Sequence, residues 1–131
     1  MPLIKKFEDI VAWQEARALS QQIYSITRIE PFSRDFGLSS HIQRVAVSTM
    51  ANIAEGFDCD FKMEFARFLS IARRSAVEVQ SLLYTALDVG YIDQTTFERV
   101  YSQAEKTKAL IGGFKHSLQQ TTKNRTVKSA S

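Results

Sequence analysis

Residues 61–90 read FKMEFARFLSIARRSAVEVQSLLYTALDVG, and this stretch decides the fold. Phe61, Phe65, Phe68, Leu69, Ala72, Ala76, Val79, Leu82, Leu83 and Ala86 recur at steps that lay them along one side of an α-helix. Proline is absent from the stretch, and Gly90 stands where the stripe stops. The spacing predicts a helix over about 61–89, the longest in the chain, with a broad face to bury.

The same period continues on both sides. Upstream, Ile42, Val45, Ala46, Thr49 and Ile53 form a second stripe. Ser39 or Ser40 can cap its start, Ser40 and Gln43 have capping-box spacing, and Gly56 marks its end. Asp58 and Asp60 then supply carboxylates suited to the positive end of the next helix dipole, so the two segments form a tight antiparallel hairpin. Further upstream, Ala12, Ala16, Leu19, Ile23 and Ile26 predict a helix that Asp9 can cap and Pro31 ends. Downstream, Asp93 is an N-cap for Phe97, Val100, Tyr101, Ala104, Leu110, Ile111, Phe114 and Leu118. Gly112 and Gly113 interrupt that stripe, as an early helix end or as a place where another backbone comes close. Alternating strand patterns and hairpin dipeptides are missing. The expectation is an all-α, antiparallel up-and-down four-helix bundle in one domain, 1–120, with helices near 9–29, 40–57, 61–89 and 94–119. Residues 121–131 lack apolar period and read as a flexible basic C-terminal tail.

Composition fits one soluble domain: 131 residues, 44% hydrophobic and 24% charged. Cys59 is the sole cysteine, which excludes an internal disulfide and fits a reducing compartment. Neither a signal-peptide pattern nor an apolar run of membrane-spanning length occurs, so a cytoplasmic protein without membrane contact is expected. Net charge is +3, but residues 1–114 carry 13 basic and 14 acidic side chains. The surplus lies in Lys115, Lys123, Arg125 and Lys128, which can meet phosphates or can simply keep the end solvated.

Catalytic patterns are missing. Leu38 and Gly113 stand three residues before His41 and His116, where a di-iron bundle needs glutamates. The phosphate loop and the nucleophile elbow are likewise absent, and Asp58 and Asp60 disfavour a reactive Cys59 thiolate. No enzyme, metal or cofactor is expected.

One polar line breaks the amphipathic pattern. Arg44, Ser48, Asn52 and Glu55 border the apolar face of the second helix, and Glu64, Ser75 and Glu78 share a face of the third. Antiparallel pairing would bring Arg44 toward Glu78, with Ser75 close by. The line is either a buried polar network that fixes register or a surface for a ligand or subunit.

Phe7 to Ala16 (FEDIVAWQEA), Ile23-Tyr24, Gly37-Leu38, Ala46-Val47-Ser48, Asn52-Ile53-Ala54-Glu55-Gly56, Glu64-Phe65, Phe68-Leu69, Ile71-Ala72, Ser75, Glu78 and Gly90-Tyr91-Ile92 together resemble a known family. It comprises the bacterial four-helix bundle proteins encoded by 23S rRNA intervening sequences. The resemblance runs from about Phe7 to Ile92 and implies a bundle that assembles into a ring-shaped homopentamer without enzymatic activity. The chain is also similar to accessory proteins of diversity-generating retroelements, which implies binding of RNA or DNA. It departs from the family pattern at His41, Gln43, Cys59, Asp60 and Arg74. Arg73, Arg74, Lys115, Lys123, Arg125 and Lys128 are the candidate phosphate contacts, although Arg73 and Arg74 also read as a solvated helix face. The competing expectation is a ring that docks a protein partner, with Trp13 and Tyr24 at contacts or packed on neighbouring helices.

Overall fold

The computed structural model describes residues 4–130, with side chains described as far as Gln120. Helices α1 (Val11–Thr27), α2 (Phe36–Phe57), α3 (Lys62–Asp88) and α4 (Gln94–Ala130) follow one another, with short 3-10 turns at Phe7–Asp9 and Phe32–Arg34. Each helix packs on two neighbours, α1 on α2 and α4, and α3 on α2 and α4. His41 meets Glu78 while the later Ser48 meets the earlier Ser75, and Arg73 meets Gly112 while the later Gln80 meets the earlier Glu105, so α2, α3 and α4 run antiparallel in an up-and-down bundle. Among the described residues there is no strand.

The core is what the apolar periods predict. Leu19, Ile23, Ile42, Val79, Leu83 and Val100 are fully buried in one cluster around Phe32. Ala12, Ala16, Ile53, Leu69, Ala72 and Ile111 bury with Phe65 in a second cluster toward the opposite end. Alanines recur on the buried faces of α1 and α3, at Ala12, Ala16, Ala72, Ala76 and Ala86, where small side chains favour close helix packing. Phe61 departs from its predicted role: it lies just before α3 with its ring 72% exposed.

Helix ends differ from expectation where two caps compete. Asp9 sits in the first 3-10 turn, and its Oδ2 accepts from the Lys5 and Lys6 amides at 3.1 and 3.3 Å, so Ile10 begins α1 without a side-chain cap. Helix α1 ends at Thr27, before Pro31 is reached. Helix α2 starts four residues earlier than read from the serines, because Asp35 Oδ1 accepts from Leu38 N at 3.0 Å. Ser39 is buried inside the helix, and Ser40 receives Arg44 Nη1 at 3.3 Å. Gly37 falls in the first helical turn, where its flexibility costs little.

Asp93 caps α4 as expected, with Thr96 N donating to Oδ1 at 2.8 Å. Gly90 terminates α3 with φ 82°; the Gly90 and Tyr91 amides reach back to Leu87 and Ala86 carbonyls, a paired closure that suits glycine. Tyr91 then stacks on Phe32, centroids 5.1 Å apart, and donates its hydroxyl to Asp35 Oδ2 at 2.9 Å. One carboxylate thereby caps α2 and ties the α3–α4 loop to the α1–α2 loop.

The glycines of α4 do not end it. Helix α4 spans Gln94–Ala130, and a Cβ at Gly112 would lie 3.6 Å from Arg73 Nε. The approaching group is thus a side chain and not a backbone, while a Cβ at Gly113 meets nothing within 4 Å. The side chains of the predicted tail from Thr121 lie outside the described residues, Lys123, Arg125 and Lys128 among them.

Candidate nucleic-acid interface

The polar line on the α2–α3 hairpin resolves into a small seam and an exposed fringe. Ser48 Oγ and Ser75 Oγ share a hydrogen bond of 3.1 Å across the helices, and Asn52 Nδ2 donates to Ser48 O and Oγ at 2.8 and 2.9 Å. These three are half-buried. Arg44, Glu55, Glu64 and Glu78 are exposed, so a buried charged network is not formed. Arg44 turns to Ser40, and the group facing Glu78 is His41, whose Nε2 stands 3.6 Å from Glu78 Oε2. The expected Arg44–Glu78 contact is therefore not formed, and its place is taken by the histidine one turn earlier on α2. Glu64 pairs within its own helix, 3.1 Å from Arg67 Nη2. Gln43, another departure from the family pattern, donates to Thr27 Oγ1 at 2.9 Å.

Helix α4 is held by carboxylates on two sides. Gln103 Nε2 donates to Glu15 Oε2 at 2.7 Å and Lys106 Nζ stands 3.2 Å from Oε1, joining α1 to α4. Gln80, buried on α3, donates to Glu105 Oε2 at 2.8 Å, with Lys108 Nζ 2.9 Å away. The Gln103 bond, then Lys106, holds the Glu15 carboxyl below the usual value; the Gln80 bond, then Lys108 and Arg73, does the same for Glu105.

Beside this clasp, toward the start of α3, a groove of about 570 Å³ opens between α3 and the later turns of α4. Met63, Ala66 and Leu118 form its apolar lining, and Lys62, Arg67 and Lys115 bring positive charge, with Ser70 and Gln119 polar and Glu64 the one carboxylate. Arg74 extends the positive side, its Nε donating to Ser70 O at 3.4 Å, and Arg73 lies against α4 at Gly112. Of the predicted phosphate contacts the fold therefore gathers Arg73, Arg74 and Lys115 on one helix pair. It adds Lys62 and Arg67, which sequence reading missed inside a charge-neutral body. Their signal was present: residues 63, 67, 70 and 74 repeat by four, three and four, which puts Arg67 and Arg74 two turns apart on one helix face.

Trp13 and Tyr24 pack against their own chain. The indole meets the Phe7 ring edge-on at 5.0 Å, and Arg28 lies 5.9 Å over Tyr24. Cys59 donates to Glu55 O at 3.4 Å. Among the described residues no group of three or more His, Cys, Asp or Glu is placed to hold a metal, and no helix is long and apolar enough to cross a membrane.

These features define an antiparallel four-helix bundle protein with Lys62, Arg67, Arg73, Arg74 and Lys115 on the α3–α4 pair. The chain belongs to the 23S rRNA-intervening sequence protein family, whose profile matches residues 8–113. Among solved structures it is similar to a protein of unknown function from the S23 ribosomal protein family of Bacteroides thetaiotaomicron. The two share 20% identity over 81% of this chain and 96% of that one, with a TM-score of 0.75. No curated protein matches the sequence.

Proposed function

We propose that the chain is a non-enzymatic, homo-oligomeric accessory protein of the cytoplasm that binds RNA or DNA without reading sequence. The observation that carries this reading is the convergence of Lys62, Arg67, Arg73, Arg74 and Lys115 on the α3–α4 face, with Glu64 the sole acid in the groove. Phosphate affinity rests on such clustered cations, each of which releases counterions on binding. A kinship with accessory proteins of diversity-generating retroelements, which the sequence resemblance implies, would fit the same reading. Assembly into a ring, a homopentamer by family resemblance, would repeat a weak face several times and add avidity. Lys123, Arg125 and Lys128 would lengthen the positive path.

Mobility-shift titration of structured RNA and duplex DNA over a range of salt tests this. Binding that weakens steeply with salt is expected, and alanine at Arg73, Arg74 and Lys115 should lower the slope of log affinity against log salt by about 2 to 3. Absence of binding at low salt would refute the reading. A second reading, a ring that docks a protein partner without nucleic acid, is favoured by Phe36 and Val89, 78% and 56% exposed at the end of the bundle away from the groove.

A further inference from the structure

We propose that the α3–α4 groove takes an unpaired RNA strand, its bases resting on Phe61 and Met63 and its phosphates on Lys62, Arg67 and Lys115. The proposal rests on the nucleic-acid reading above and specifies which nucleic acid the groove fits. Cations alone would serve a duplex, whose phosphates face outward and whose base faces are stacked away. The groove is different, because Met63, Ala66 and Leu118 give its lining apolar surface and Met63 stands 85% exposed there. Phe61, 72% exposed, is the N-cap residue of α3 and stands one residue before the groove lining begins at Lys62, so an exposed aromatic side chain lies next in the chain to the groove's first cation. Large apolar side chains held in water beside positive charge gain most from a ligand that is apolar on its faces and anionic along its length. An unstacked nucleotide strand is such a ligand, since each base offers a π-face and each link a phosphate.

Two further details fit. The Arg67 guanidinium carbon lies 5.2 Å over the Phe68 ring and its Nη2 stands 3.1 Å from Glu64, so a planar guanidinium sits at the groove for a base or phosphate to meet. Lys62 and Lys115 form no ion pair among the described residues, so their charge is open to a ligand. RNA is favoured over DNA by Ser70. Its hydroxyl proton is engaged by Ala66 O at 3.2 Å, leaving the oxygen as an acceptor for a ribose 2′-hydroxyl, a donor that deoxyribose lacks. Exposed Asp58 and Asp60 in the preceding turn limit the strand's path at that end.

The test uses the full chain and fluorescence anisotropy with three probes of about twelve nucleotides: an unstructured mixed-sequence RNA, the DNA strand of the same sequence, and the RNA duplex. The single RNA strand should bind at least about tenfold more tightly than the duplex and more tightly than the DNA strand. Replacing Phe61 and Met63 together by alanine should weaken strand binding about tenfold with an unchanged salt slope, while Lys62→Ala with Lys115→Ala should flatten the slope. These side chains lie outside the buried core, so thermal melting should show the folded bundle intact in each variant. Equal binding of strand and duplex, or indifference to the Phe61 and Met63 changes, would overturn the groove assignment while leaving the broader nucleic-acid reading in place. Equal binding of RNA and DNA strands would overturn the choice of RNA. Failure of all three probes at low salt would refute both readings and leave the groove to an acidic protein segment.

Discussion

Asp35 does the most of any single residue to close the bundle, with one oxygen on the Leu38 amide and the other on the Tyr91 hydroxyl. That bond raises the Tyr91 pKa above the ordinary phenol value, chiefly because the phenol donates to a carboxylate. A phenol that holds its proton more firmly when folded contributes stability that is complete below pH 10 and is lost as pH rises through the folded value. Alkaline melting should therefore set in above about pH 10. Thermal scans against pH should show Tyr91→Phe less stable near neutrality and less sensitive to that alkaline rise. Arg44 stands in contrast, since its one polar contact is an exposed bond to Ser40. Arg44→Ala should shift the thermal midpoint by no more than about 2 °C, measured by circular dichroism. Neither assignment was legible in the sequence. Ser39 and Ser40 satisfy cap preferences as well as Asp35 does, and only the Tyr91 contact, 56 residues away, breaks the tie.

Between elements, three glycines written alike in the sequence have unlike effects. Helix α2 meets α3 so closely that a Cβ at Gly56 would come within 2.8 Å of Phe65 Cδ1 and Phe68 Cβ, which are packed ring and stem atoms. Gly56→Ala should destabilise by about 1–3 kcal/mol in denaturant unfolding. At Gly112 the nearest atom is the end of a flexible arginine 3.6 Å away, and at Gly113 the space is open. Alanine at either should stabilise α4 by up to about 1 kcal/mol in the same assay. Gly56 marks the end of α2 as the sequence suggests, the helix closing at Phe57, but its close approach to α3 is legible only once the partner helix is placed. The α1–α4 clasp works through Glu15, whose carboxyl is held below 4.5 first by Gln103 and then by Lys106. A carboxyl that loses its proton more readily when folded contributes stability above its unfolded value and forfeits it as pH falls through the folded one. Acid unfolding of Glu15→Gln, followed by far-ultraviolet circular dichroism, should be less steep below about pH 4.5 than that of the unaltered chain.

For the molecule as a whole, the four-helix order and nearly all of the core followed from apolar period, because burial on one face of each helix is a property of local spacing, and the antiparallel sense followed from the short connections. The groove did not, since it is made by two helices whose cations are more than forty residues apart in the chain, and charges summed along the sequence cancel where charges summed over a surface do not. A homo-oligomeric accessory protein should give a solution mass of several chains by light scattering, and a monomer would remove the avidity on which weak, repeated phosphate contacts depend. The Asp35–Tyr91 tether, finally, bears on how the fold comes apart. Both inter-helix connections at that end of the bundle are joined by the Asp35 carboxylate and by the Phe32–Tyr91 stack, so opening one loosens the other. In native-state hydrogen exchange the amides around Leu38 and Tyr91 should share one opening free energy, a single cooperative unit where the chain's layout would give two.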